Sequence, residues 1–230
     1  MILYAIPTPL GGTPADALPA AALAIVRSLK DFVAENAKSA RAFLAAAGLS
    51  VRELSIATLD EHTREIAPLL QPLREGRALG LLSEAGCPAI ADPGAALVEA
   101  AHRERFRVVP LIGPCAVTLA LTASGLEGQR FAFCGYLPRE KHEREKRIRE
   151  LESRSRRERE TEIFIETPYR NDALLESLLG SCASATLLCV AADLTLAGES
   201  ITTRTIADWR AARASLGRRP AVFLLLANPR

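Results

Sequence analysis

Residues 78–104 read ALGLLSEAGCPAIADPGAALVEAAHRE. Ala78–Ser83 is an apolar run with polar ends, which predicts a central parallel strand. Ser83–Gly94 then holds two prolines and two glycines, the composition of a loop. Pro93–Glu104 predicts a helix with proline in its first turn. Strand, loop and helix in that order are the unit of an open α/β sheet. In such sheets ligands sit beyond the carboxyl ends of the strands.

The same order repeats on both sides of this stretch. Ile2–Ile6 is a short apolar run, ending at Pro7, and the loop PTPLGG follows as Pro7–Gly12. Leu18, Ala22, Ile25, Val26 and Leu29 fall at helical spacing and mark one buried face. Asp31–Ala34 predicts a short strand, and Lys38–Ala47 an alanine-rich helix closed by Gly48. Downstream, Arg107–Leu111 predicts a strand, which IGPCA (Ile112–Ala116) breaks before another helix. The first half therefore predicts a mostly parallel sheet.

The second half restarts after Gly125. Strands are predicted at Phe131–Tyr136, Thr161–Glu166, Ala185–Ala191, Ile201–Thr205 and Ala221–Leu226. Helices are predicted at Glu140–Arg157, Pro168–Leu179 and Ile206–Leu216. Strands that come in a run at the end imply a mixed sheet. The best boundary is Ile112–Pro114, which gives α/β domains over 1–112 and 113–230.

Composition excludes several classes. With 49% apolar residues in 230, the chain is neither disordered nor low in complexity. No apolar run approaches the roughly 20 residues that span a bilayer, so no membrane partner is expected. The start, MILYAIPTPLGG, lacks a basic n-region and makes a poor signal peptide; the expected location is the cytoplasm. The five cysteines are widely spaced and the three histidines are far apart, so neither a disulfide framework nor a metal site is expected.

Net charge is only +2, yet Arg139–Glu160 alone holds ten basic and seven acidic residues. Its interleaved signs favour a solvated helix with i,i+4 pairs such as Glu143/Arg147 and Glu145/Arg149. A net +3 ridge is also compatible with a phosphate backbone. The loops match no GxxxxGK[ST], GxGxxG or GxSxG pattern.

Taken together, the loops resemble the tetrapyrrole (corrin/porphyrin) methylase superfamily, and most closely its small-subunit ribosomal RNA methyltransferase branch. The resemblance runs from Leu3 to about Leu226. It rests on Thr8–Gly11 (TPLG), Glu84–Gly94 (EAGCPAIADPG), Leu111–Ala116 (LIGPCA), Phe133–Arg139 (FCGYLPR) and Phe164–Arg170 (FIETPYR). It implies a two-domain class III methyltransferase fold with S-adenosylmethionine (SAM) in a cleft between the domains. The implied cofactor-binding residues are Leu10, Gly86, Cys87, Pro88, Ile90, Cys115, Ala116, Ile165, Leu194 and Ala221. The implied acceptor is the 2′-hydroxyl of a cytidine in ribosomal RNA, either free or in the small subunit, and the implied assembly is a homodimer.

Glu166 and Arg170 are the candidates for catalysis or positioning. Glu35, His62 and Glu199 are further candidates, of which Glu35 and His62 are read chiefly as surface caps or ion pairs. The chain departs from the branch pattern A-E-D-T-R at Asn36, Ala37 and Lys38. It carries Cys87 and Cys115 where the branch has hydroxyls, and it stops at Arg230 without the extension that many members carry. Two alternatives stay open: methylation of a tetrapyrrole-like small molecule, and a SAM- or RNA-binding module without turnover.

Overall fold

The computed structural model describes residues 1–212 and 215–227. The chain forms two compact units, Met1–Cys115 and Ala116–Arg230.

The first unit runs β1 (Ile2–Ile6), α1 (Pro14–Ala17), α2 (Ala20–Ser28), β2 (Asp31–Ala34), α3 (Ala37–Ala46) and β3 (Ser55–Thr58). It continues with α4 (Gln71–Arg74), β4 (Leu79–Leu82), α5 (Gly94–Arg103) and β5 (Arg107–Pro110). The strands form one sheet in the order β3-β2-β4-β1-β5, and every pairing is parallel. Apolar clusters cover both faces: Ile6, Val26, Phe32 and Leu44 belong to one, Leu3, Leu79, Leu81 and Leu97 to the other. Covering both faces is why the interior strands read as apolar runs, Phe32–Ala34 in β2 and Leu79–Leu82 in β4; all four residues of each strand are buried, Asp31 of β2 against Arg77. Gly80 sits mid-strand because Phe32 lies over it. A Cβ there would be 2.7 Å from the Phe32 ring and 2.8 Å from Ile6.

The second unit runs α6 (Ala116–Ser124), β6 (Phe131–Tyr136), α7 (Lys141–Glu158), β7 (Thr161–Glu166), α8 (Asn171–Ser181), β8 (Leu187–Ala192), β9 (Ser200–Thr205), α9 (Ile206–Ala212) and β10 (Ala221–Leu226). Its sheet order is β6-β7-β10-β8-β9. Only β6 and β7 pair in parallel; the remaining pairings are antiparallel. On one face Phe164 and Phe223 stack with centroids 6.0 Å apart, inside a core completed by Ile148, Leu151, Leu174, Leu178 and Trp209.

The expected α/β class, with one parallel and one mixed sheet, is the observed one. Local differences have simple causes. The strand Ser55–Thr58 is not predicted because it is short and half-exposed at a sheet edge. Pro168–Leu179 divides into a 3₁₀ turn over Pro168–Arg170 followed by α8. Of the helix predicted over Ile206–Leu216, Ile206–Ala212 is helical. Residues 213–214 of that prediction lie outside the described residues, and Ser215 and Leu216 instead bond to the Asp172 carboxylate.

Candidate functional site

In the first unit, β1 and β4 are parallel neighbours, so the loops that follow them emerge side by side. Thr8 and Gly86 stitch these loops together with two backbone hydrogen bonds of 2.9 and 3.0 Å. The Ser83 hydroxyl donates to the Gly86 carbonyl at 2.6 Å, and the Thr8 hydroxyl to the Ser83 carbonyl at 3.3 Å. Gly86 has φ +80°, a conformation that favours glycine. A Cβ on it would stand 3.3 Å from Leu10 and 3.6 Å from the Pro114 carbonyl. The three glycine- and proline-rich loops of the sequence thus converge on one residue without a side chain.

Cys87 extends this convergence. Its thiol donates to the Pro114 carbonyl at 3.5 Å and faces Cys115. Burial, reinforced by Cys115, pushes the thiol up to about 11; at neutral pH it is an uncharged, weak donor. The rest of the loop is tightly wound. Ala89 and Ala91 both have left-handed φ, 65° and 61°, and Asp92 holds them by accepting from Ala89 N (2.7 Å) and Gly94 N (2.8 Å). Non-glycine residues held in that region cost about 1 kcal/mol or more each and cluster at ligand clamps. Pro88 is buried within the loop, whereas Ile90 is exposed.

The Thr8–Ser83 clamp and the Asp92 turn are missed by sequence reasoning. Their sequence signals are Thr8 between Pro7 and Pro9, and Asp92 directly before Pro93 and Gly94; Ser83 carries none. Beside the clamp lies a cavity of about 290 Å³, bounded by Pro9, Gly11, Phe43, Ser39 and Glu84. Glu84 accepts a hydrogen bond from Ser39. Glu84 also lines a second cavity of about 310 Å³ with Glu35, Asp60, Glu61 and His62. The Glu35 carboxyl is raised above its ordinary value by burial, then by Glu84 and the other acids. His62 lies open to solvent, 3.6 Å from Glu61. No group of His, Cys, Asp or Glu among the described residues is arranged to hold a metal ion.

In the second unit, strand ends carry Ile165, Glu166 and Ala221. Glu166 stands opposite Ala221, and Ala221 opposite Ala192. Ile165 pairs with Val222 on one side and Tyr136 on the other. Leu194 is buried in the turn that follows β8, and Ala116 opens α6. The Glu166 side chain is fully buried and that of Arg170 is 18% exposed, with 2.9 Å between carboxylate and guanidinium. The other carboxylate oxygen accepts from Thr167 N at 2.7 Å. Glu166 Oε2, Arg170 Nη2 and Asn171 Oδ1 have no hydrogen-bond partner of ideal geometry, so the pair is electrostatic. Glu199 has a local use: it accepts from Thr195 N at 2.8 Å, in a turn also fixed by Arg219 on Asp193 (2.5 Å).

The model of the tetrapyrrole (corrin/porphyrin) methylases matches residues 3–209. The chain belongs to this family. A methylase of this family takes its methyl group from SAM, so the chain is a SAM-dependent methyltransferase. Among its relatives is the ribosomal RNA small subunit methyltransferase I of Escherichia coli O157:H7, 33% identical over 86% of this chain and 67% of that protein. The protein of the same name in Vibrio cholerae is 32% identical over 90% of this chain and 69% of its own length. The crystal structure of the methyltransferase CobJ superposes with a TM-score of 0.64 at 20% identity, covering 98% of this chain and 93% of that one; this likeness shows the fold. No helix among the described residues is long and apolar enough to cross a membrane.

The residues present fit the methyl donor the family uses. Gly86 leaves a cradle that a Cβ would fill. Around it lie backbone groups, apolar carbon and the uncharged Cys87 thiol, a set suited to a ligand bound by shape and main-chain contact.

Proposed function

We propose that the chain methylates the ribose 2′-hydroxyl of a cytidine in small-subunit ribosomal RNA, and that it does so as a cytoplasmic homodimer. The observation that carries this reading is the convergence of three loops on Gly86 in a chain about one-third identical to ribosomal RNA methyltransferases.

The residues proposed to hold SAM are Leu10, Gly86, Cys87, Pro88, Ile90 and Cys115 in the first unit, with Ala116, Ile165, Leu194 and Ala221 in the second. Bound there, SAM supplies an electrophilic methyl group. The chain's own task is to fix that group in line with the acceptor oxygen and to exclude water. The stitched loops suit this task because they have little freedom left to lose on binding. Glu166 and Arg170 act as positioning residues: a carboxylate sealed against its own guanidinium orders the strand end that carries Ile165.

Calorimetric titration with SAM and S-adenosylhomocysteine tests the cofactor half. Micromolar binding, about −8 kcal/mol, is expected, and it should be lost in Cys87→Trp. Transfer of labelled methyl from SAM tests the acceptor half, using small ribosomal subunits purified from cells that lack the activity. Incorporation at a cytidine ribose supports the reading. SAM binding with no transfer to RNA, or with salt-insensitive transfer to a small molecule, overturns the acceptor.

A further inference from the structure

The charged helix α7 mixes its signs along the sequence but sorts them around its axis. At about 100° per residue, Arg156, Arg149, His142, Ser153, Lys146 and Arg157 occupy one sector of roughly 100°. All six are exposed, and the sector contains no acid. Arg144, Ile148, Leu151, Glu152 and Ser155 are buried in the opposite direction.

On the flanks Glu145 meets Lys141 at 3.9 Å and Glu150 meets Arg147 at 3.1 Å, while Glu143 lies 4.0 Å from the sector's own His142. Glu160, just past the helix, and Glu162, on β7, both meet Arg154. The expected pairs Glu143/Arg147 and Glu145/Arg149 do not form. Among the described residues, Lys146 and Arg149 have no carboxylate within 4.0 Å, whereas Arg156 and Arg157 touch Glu152 at 4.0 Å and Glu158 at 2.7 Å.

We propose that this sector of α7 is a track for the phosphate backbone of RNA, with Lys146 and Arg149 as its principal contacts. The inference rests on the ribosomal RNA reading and deepens it. Cations kept without counter-ions on a folded surface form a field suited to a polyanion. From Lys146 to Arg157 the helix rises about 16 Å, enough to follow several phosphates of one strand. The sector offers no apolar side chain, and a helix that lies on a membrane needs an apolar face.

The test measures binding of the full chain to small ribosomal subunits and to a fluorescent transcript of their RNA, across a potassium chloride series. Lys146→Gln/Arg149→Gln is compared with wild type, and Arg147→Gln on the paired flank is the control. Loss of two phosphate contacts should flatten the slope of log affinity against log salt by about 1.4–1.8. Affinity in low salt should fall about tenfold. The KM for RNA should rise by a similar factor while kcat and SAM affinity hold. Arg149→Lys should keep the wild-type slope, because a phosphate contact needs charge more than shape.

An unchanged slope in the double variant, with wild type methylating RNA normally, overturns the track alone. Wild type that binds SAM but neither binds nor methylates RNA overturns the ribosomal reading and the track together. Capture by phosphatidylserine vesicles that the double variant loses, without any change in RNA affinity, assigns the face to membranes and likewise overturns the proposal.

Discussion

The strand-end loops of the first unit and the strand ends of the second are built from different materials. Around Gly86 the structure relies on main chain: paired backbone hydrogen bonds, left-handed alanines and the uncharged Cys87 thiol. Around Glu166 it relies on charge, with a carboxylate sealed from water against Arg170. The first kind of site tolerates exchange of side chains but not the addition of a Cβ. The second tolerates changes of shape but not the loss of one charge.

The largest expected effect follows from the charged end. Arg170→Met leaves Glu166 buried and unpaired, which should destabilise the chain by about 3–5 kcal/mol in urea unfolding. Removing both charges in Glu166→Gln/Arg170→Met should recover most of that loss, because the penalty belongs to the stranded charge. A single variant within about 1 kcal/mol of wild type would break the contrast.

Next comes the main-chain site. Gly86→Ala forces an L residue to φ +80° and drives its methyl to 3.3 Å from Leu10. The expected cost is about 1–2 kcal/mol of stability, together with at least a tenfold loss of SAM affinity. Cys87→Ser, which changes a neighbouring side chain but adds no bulk, should alter SAM affinity less than about threefold. If the serine variant loses more than the alanine variant, side-chain chemistry rather than backbone shape makes the site.

How much of this was legible in the sequence varied with the physics. β1, β2, β6, β7 and β10 are predicted with their observed ends; the apolar runs of β1, β2 and β7 stop at Pro7, Glu35 and Glu166. The strand at Ser55–Thr58 was not, since an edge strand with partly exposed residues carries no clean period. The glycine- and proline-rich loops are visible as punctuation, and their motif order points to the family. The Thr8–Ser83 clamp was not visible, because its bonds join residues 75 apart in the chain. The cation sector on α7 was hidden for the opposite reason. Interleaving along the sequence disguised a separation that appears only once the residues are wound at 3.6 per turn.

The thiols sharpen the contrast at smaller scale. Cys87 is protonated at neutral pH, because burial lifts it to about 11. Its alkylation by iodoacetamide, followed by mass spectrometry, should therefore stay slow through pH 8–9 and accelerate only as pH approaches 11. Rapid modification at pH 7 would mean that the loop opens readily, and the stitched main-chain site would lose its rationale.

The smallest effect comes from Asp172, which joins both building materials. It is a carboxylate in the charged unit, yet it is held by main-chain donors: Leu216 N at 2.7 Å and Gly217 N at 3.4 Å, with the Ser215 hydroxyl at 3.0 Å. The Leu216 bond is the main cause that lowers its pKa below the ordinary 3.8. A carboxyl depressed in the folded state binds protons more weakly there than in the unfolded chain. Its contribution is therefore complete above about pH 4 and is lost as pH falls through the lower, folded value. Asp172→Asn should cost under about 1 kcal/mol at pH 7, as befits a solvent-screened group, and the deficit should shrink below pH 4. A deficit as large as that of Arg170→Met would show that what matters in the second unit is charge itself. A deficit that ignores pH would show that the amide satisfies the same donors and that the backbone, here too, decides.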